Sequence, residues 1–312
     1  TRIASSHIRV GTFQYIAAKQ NIEELKLLMN FTIDRHFSEI KSSNNKALDL
    51  LNLLMEKQCN LVVNWMRVGF IHGVMNTDNM TISGQTIDYG PCAFMDHYDA
   101  KTVFSSIDKF GRYSFSNQPK ITKWNLARFA ECLIPLIDQN EDSAIKKASE
   151  VVDNFEKIYE KKWLNMMRDK LGLFGEDKED KKLINDLLNW MELNKVDYTN
   201  TFCYLMNVKT PEINCYKTNE FNHWMDRWKK RLNLKEISSS KYLDLMRISN
   251  PIVIPRNHKV EEALIAANEN NLELLKNLLT VLENPYADQK NILDYQSPLP
   301  ITEKKFQTFC GT

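Results

Sequence analysis

The sequence predicts a mainly α chain, α+β overall only through one small hairpin, and three observations carry that prediction. Apolar residues recur at helical spacing through most of the 312 residues. Only residues 79–88 switch to strand-like alternation. Glycine is scarce, with nine in the chain. Yet Gly69, Gly73, Gly84 and Gly90 fall within about twenty residues of one another, and glycine serves tight turns and close backbone approach. The helical text is interrupted at that one place, which is the first to search for a site.

Taken in order, residues 11–29 read as an amphipathic helix built on Phe13, Ile16, Ala17, Ile22, Leu25 and Leu28. Residues 44–68 read as a longer one carrying Leu48, Leu51, Leu54, Met55, Leu61, Val62, Trp65 and Val68, with Gly69 as its stop. The hairpin at 79–88 alternates Met80, Ile82 and Ile87 with threonines around a two-residue turn, Ser83-Gly84. Residues 91–121 are irregular, and the aromatics Phe94, Tyr98, Phe104, Phe110, Tyr113 and Phe115 argue for a long packed loop. Helices resume at 122–139, 143–171, 179–193, 197–207, 218–231 and 259–282. Glu176 to Lys182 reads as a solvated loop entering a helix. Trp163, Trp190, Trp224 and Trp228 fall at core spacing.

Composition narrows the function. Apolar residues at 43% and charged residues at 26% are ordinary for a globular protein. A net charge of +1 gives no bulk attraction to nucleic acid or membrane, so neither is expected as a partner. No run of about twenty apolar residues is present to make a spanning helix. Six cysteines lack metal-type spacing and read as thiols of a reducing compartment. The chain starts at Thr1 and reads as a fragment or processed product.

The hairpin register suggests a metal site. With Ser83-Gly84 at the turn, Asn79 lies opposite Asp88, and opposed residues of a ladder have neighbouring side chains. An amide oxygen beside a carboxylate suits Mg²⁺, which takes one or two protein ligands and leaves the rest to water and phosphate. Asp78 then points elsewhere and is free to act as a base. The alternative is that Asn79 and Asp88 cap strand ends, as such residues often do. Asp96, His97 and Asp99 read as a solvated loop, and His72, lacking a second ligand at metal spacing, as a scaffold residue.

The surroundings favour the metal. His72-Gly73 precedes Asn79 at the spacing of kinase-like phosphotransferases, and Ile87-Asp88-Tyr89-Gly90 resembles their metal-binding DFG element. The base aspartate expected two residues after the histidine is Val74, which leaves a catalytically impaired scaffold of pseudokinase type or an enzyme whose base is Asp78.

The stretch from Gly69 to Pro91 is similar to the signature of the selenoprotein O family of protein adenylyltransferases. So are Thr1-Arg2-Ile3-Ala4-Ser5-Ser6-His7-Ile8-Arg9-Val10-Gly11-Thr12-Phe13, Gly111-Arg112-Tyr113-Ser114-Phe115 with Gln118-Pro119 and Trp124-Asn125-Leu126, and Asn250-Pro251 to His258. The resemblance implies a protein-kinase-like C-terminal lobe over residues 1–312, with extra C-terminal helices. Catalytic loop and metal hairpin would occupy 69–91, an activation-type loop 91–121 and a helical remainder 122–312. ATP would be the substrate, bound in a flipped orientation with Mg²⁺ or Mn²⁺, and AMP would pass to a Ser, Thr or Tyr hydroxyl of a protein partner. The family match makes Asp78 the general base and Asn79 and Asp88 the metal ligands. ATP would be held by Arg2, Arg9 and Asp88, the arginines gripping its outer phosphates as guanidinium forks do.

The resemblance also implies an N-terminal nucleotide lobe ahead of Thr1, since no glycine-rich loop or lysine–glutamate pair of that kind can be placed in this chain. That puts nucleotide binding by these residues alone in question. Some members form a redox disulfide between the activation-type loop and the C-terminus. Here Cys310 would be the terminal partner, with Phe104 at the matching loop position and Cys92 the only cysteine of that loop. The family setting is cytoplasmic in bacteria and mitochondrial in eukaryotes.

Overall fold

Helix α3, Lys46–Val68, is the spine on which the rest is hung. Asn45 caps its start by accepting the Leu48 N–H, and Gly69, in the left-handed region at φ 73°, closes its end by donating to Trp65 O. The end matches the sequence reading, and the start falls two residues later than expected. The computed structural model describes residues 3–211, 214–234, 238–299 and 306–309.

Two apolar clusters share α3. Its first half, with Leu50, Leu51 and Leu54, joins α1 (Val10–Ala17), α2 (Ile22–His36), α4 (Gln118–Ile137) and the start of α5 (Glu141–Lys170) around Phe13, Phe37, Phe129 and Phe155. Its second half, from Val62 to Met66, joins the end of α5 with α6 (Asp180–Asn194), α7 (Tyr198–Leu205), α8 (Asn219–Asn233) and α9 (Ser239–Ser249). Trp190, Trp224 and Trp228 are buried there and Trp163 packs, partly buried, against the same cluster, as expected. The chain is mainly helical, and no helix among the described residues is long and apolar enough to cross a membrane.

The last turn of α3 leaves carbonyls that the helix cannot satisfy itself. The Tyr198 hydroxyl donates to Met66 O at 3.0 Å, and Lys170 Nζ, fully buried, donates to Arg67 O at 2.8 Å. Side chains of α7 and α5 therefore fix the point at which the chain leaves α3 and enters the glycine-marked segment.

Several expectations are corrected. The helix read at 11–29 is two, α1 and α2, broken where Gln20 adopts φ 55° and the Asn21 side chain accepts from Glu23 N and Glu24 N. The helix read at 259–282 is likewise α10 (Asn257–Asn268) and α11 (Glu273–Leu282), broken at Asn270, φ 62°. Helix α9 and a short α12 (Leu293–Gln296) were not anticipated. Glu176 to Lys182 is not simply solvated, because Asp180 is buried between Arg168 and Arg231. Of the loop aromatics, Phe104 and Phe115 are buried, but Phe110 is 97% exposed.

The small catalytic β-hairpin at 79–88 is not formed. The strands described are β1 (Phe70–Ile71) and β2 (Ala93–Phe94), antiparallel with Phe70 opposite Phe94. Between them the Thr81 hydroxyl donates to Gln85 O and accepts from Gln85 N, standing in for ladder bonds. Gly84 N bonds Thr81 O, so Ile82 and Ser83 hold the central turn positions. The backbone of residues 80–82 is instead taken by the N-terminal segment: Val10 N donates to Met80 O at 3.0 Å and Ile82 N to Ile8 O at 2.9 Å.

Candidate active site

The segment after β1 is fixed by buried polar side chains. Gln118 accepts from His72 N and donates to Phe70 O, and Asn125 donates to Met75 O at 2.8 Å. Gly73 sits at φ 89°, and a Cβ there would meet Pro91 O at 2.5 Å, so only glycine allows the loop to pass the 90–91 turn. Gln118 and Asn125 were not singled out by role. Their signal was available, for they occupy the buried stripe of α4 together with Ile121 and Thr122, where apolar residues would be expected.

His72 links this loop to the next. Its Nε2 lies 2.8 Å from Ile87 O and its Nδ1 accepts from Val74 N at 3.3 Å. The proton therefore sits on Nε2, and neither nitrogen is left for a metal. Burial pushes its pKa below the ordinary value, partly opposed by the Ile87 bond and by the charge of Asp88. Trp65 Nε1 donates to Thr86 Oγ1 one residue earlier. The residue that follows Ile87, Asp88, has φ 60°, a left-handed conformation that aspartate adopts more readily than most residues other than glycine and asparagine.

Asn79 and Asp88 are brought together, though not by a ladder. Asn79 Nδ2 donates to Asp88 Oδ2 and to Val74 O, both at 2.9 Å. Asn79 Oδ1 and Asp88 Oδ1 have no hydrogen-bond partner among the described residues. Each residue of this half-buried, hydrogen-bonded pair thus keeps one oxygen for a ligand, of the hard type that suits a divalent cation. No cluster of three or more His, Cys, Asp or Glu that could hold a metal is found among the described residues. Asp96, expected in a solvated loop, instead accepts from the buried Arg256 at 2.6 Å.

Asp78 stands beside Asn79 with its side chain 63% exposed. Its N–H bonds Asn76 Oδ1 and its carbonyl accepts from Arg9 Nη1 at 3.0 Å, with the same nitrogen 3.6 Å from Asp78 Oδ1. The structure thus brings together two pairs, Arg9 with Asp78 and Asn79 with Asp88, joined through the neighbouring positions of Asp78 and Asn79 in the chain. Val74, where a kinase-like pattern places an aspartate, is buried. Arg2 and Cys310 lie outside the described residues.

The C-terminal segment reaches the same region. Thr308 N donates to Phe104 O at 2.8 Å, Ser106 N to Thr308 O at 3.0 Å, and Thr308 Oγ1 to Pro91 O at 2.6 Å. Phe306 stacks edge-on to Phe104, and Cys92 lines a groove shared with residues 306–309. Burial pushes the Cys92 thiol up to about 11.

A family model described as protein adenylyltransferase SelO matches residues 1–283. The protein nucleotidyltransferase YdiU of Pelagibacter ubique is 63% identical over 312 residues, covering 100% of this chain and 65% of that relative. Proteins of the same name from Nitrosococcus oceani and Brevibacillus brevis are 52% and 50% identical, again over 100% of this chain and 64% of each relative. The chain spans just under two thirds of the length of these curated relatives.

Proposed function

Because this chain belongs to the SelO family of protein adenylyltransferases, we propose that it carries the metal-binding and acceptor-activating part of an active site that moves AMP from ATP to a protein Ser, Thr or Tyr hydroxyl. The observation that carries the reading is the adjacency of Asn79, Asp88 and Asp78, with Arg9 at hydrogen-bond distance from Asp78. On this reading the fold is the C-terminal lobe of a protein-kinase-like enzyme, with residues 91–121 as its activation-type loop.

Asn79 and Asp88 would hold Mg²⁺ or Mn²⁺, which neutralises phosphate charge when bound. Asp78 accepts the acceptor proton as the hydroxyl oxygen bonds to the α-phosphorus. The bond from that phosphorus to the bridging oxygen breaks, and pyrophosphate leaves. Arg9, with Arg2, would grip the outer phosphates so that the α-phosphate faces the acceptor. The work of the protein is positioning and charge complementarity. His72, bonded to the backbone at both ring nitrogens, holds Ile87 and hence Asp88.

The test uses the full-length protein. Incubation with α-labelled ATP and Mg²⁺ or Mn²⁺ is expected to label protein. Asp88→Ala should abolish metal-dependent nucleotide binding, and Asp78→Ala should slow transfer by about 10²-fold or more with binding kept. Label arriving from γ-labelled ATP alone would make the protein a kinase and refute the proposal. The buried Val74 favours a second reading, a binding scaffold without catalysis. Thermal unfolding separates the two: ATP with metal at 100 times its dissociation constant adds about 2.7 kcal/mol to a nucleotide-binding enzyme and nothing to such a scaffold.

A further inference from the structure

Gly11 is the second residue of α1 and is a glycine without a conformational reason to be one. It is not among the residues with positive φ, so any side chain could adopt its backbone. At a helical position alanine is favoured over glycine by about 1 kcal/mol. What the position lacks is space on one side. A Cβ at Gly11 would come closer to Asp78 Oδ1 than the 3.0 Å that Cβ atoms essentially never breach, and would lie 3.1 Å from Asp78 Cγ. The Asp78 carboxylate rests on bare helix backbone.

The Asp78 main chain is tied on both sides against such a clash. Its N–H is held by Asn76 Oδ1 at 2.9 Å and its carbonyl by Arg9 Nη1 at 3.0 Å. Two residues on, Met80 O is bonded to Val10 N. The side chain itself is mostly exposed and has open solvent to turn into. An added methyl group at residue 11 would therefore rotate the carboxylate out of place and leave the fold intact.

We propose that Gly11 is a positioning residue whose missing side chain seats the Asp78 carboxylate where an acceptor hydroxyl can reach it. The inference rests on the reading of Asp78 as the base, and makes the first turn of α1 part of the acceptor site. Residues 8–11 then act as a strap: Ile8 and Val10 hold the backbone on either side of Thr81, Arg9 holds the Asp78 carbonyl, and Gly11 sets the angle of its carboxylate.

The experiment compares full-length wild type with Gly11→Ala, Asp78→Ala and the double variant. Gly11→Ala is expected to lower kcat for AMP transfer by about 10²-fold, the size of effect that a misplacement of about 1 Å can produce. Its KM for ATP should stay within about twofold of wild type. Its melting temperature should be unchanged or higher, and its crystal structure should show Asp78 in a different rotamer. The double variant should be no slower than Asp78→Ala alone, because the two changes remove the same contribution. A wild-type rate for Gly11→Ala, or losses that multiply in the double variant, would overturn the proposal while leaving Asp78 as the base. A lowered melting temperature accompanying the rate loss would overturn it in favour of a packing role. A wild-type rate for Asp78→Ala would instead remove the base reading, and this proposal with it.

Discussion

His72 is a histidine with no free nitrogen, and its protonation state is fixed by the backbone. Charging the ring would put a proton on Nδ1, which already accepts from Val74 N, at a site that is 1% exposed. Burial accordingly holds its folded pKa below 6.5. The sign follows. Below 6.5 the unfolded chain takes up a proton that the folded one refuses, so stability is complete above that value and is lost as pH falls towards the folded pKa. His36 and His258 are shifted in the same direction, chiefly by desolvation, so wild type should weaken in acid on all three counts. His72→Gln isolates one of them. It should cost about 1–3 kcal/mol near neutral pH, through the bonds it makes less well. Its urea midpoint should also fall less than that of wild type between about pH 7.5 and pH 5. Parallel acid profiles would show that His72 is charged in the folded protein. At this scale the sequence was informative about neighbours and poor about mechanism. Asn79 and Asp88 do touch, but through an amide-to-carboxylate bond inside an irregular loop, not across a ladder. The Gly11 contact was invisible because nothing local to residue 11 reports what residue 78 will place against it.

Among the elements, α5, α6 and α8 are joined by one buried carboxylate. Asp180, the first residue of α6, accepts from Arg168 Nε of α5 and Arg231 Nε of α8, both at 2.7 Å, while Arg231 also reaches Phe174 O and Gly175 O. Removing the anion leaves two nearly buried guanidinium groups facing each other. Asp180→Ala should therefore cost about 3–5 kcal/mol in chemical denaturation, and a loss below about 1 kcal/mol would show that the triad is solvated in solution, as surface pairs are. The charged run around residue 180 looked like solvent-facing text because its partners lie 12 residues before and 51 residues after Asp180. Helix bounds were legible where the stop is local. Asn45 and Gly69 announce α3 by their own chemistry. They were illegible where apolar periodicity ran on through a break, as at Gln20, where α1 and α2 bury residues in one cluster, and at Asn270, where Ala263, Ala266 and Leu278 are buried on either side. The alternation of Met80 and Ile82 was real, and both are buried, but their backbone partners come from residues 8–10.

For the whole molecule, the positions that matter are joined by contacts distant in sequence. Arg256, 1% exposed, binds Asp96 Oδ1 and Asp197 Oδ2 at 2.6 Å and Gln296 O at 2.7 Å, pinning the loop after β2, the start of α7 and α12 to one guanidinium. Thr308 pairs with residues 104–106, and Ile8 and Val10 pair with residues 80–82. This last pairing has a consequence in time. Helices can form from near neighbours, but joining segments some seventy residues apart costs about 4 kcal/mol of chain entropy before any contact offsets it. In pulsed hydrogen exchange during refolding, the amides of Val10 and Ile82 should gain protection after those inside α3. Simultaneous protection would mean that the strap forms with the first collapse. In the expected order a chain passes through a stage in which its helices stand complete while Asp78 is still unplaced, so that, on the proposed reading of Asp78 as the base, readiness for chemistry would arrive after the helices.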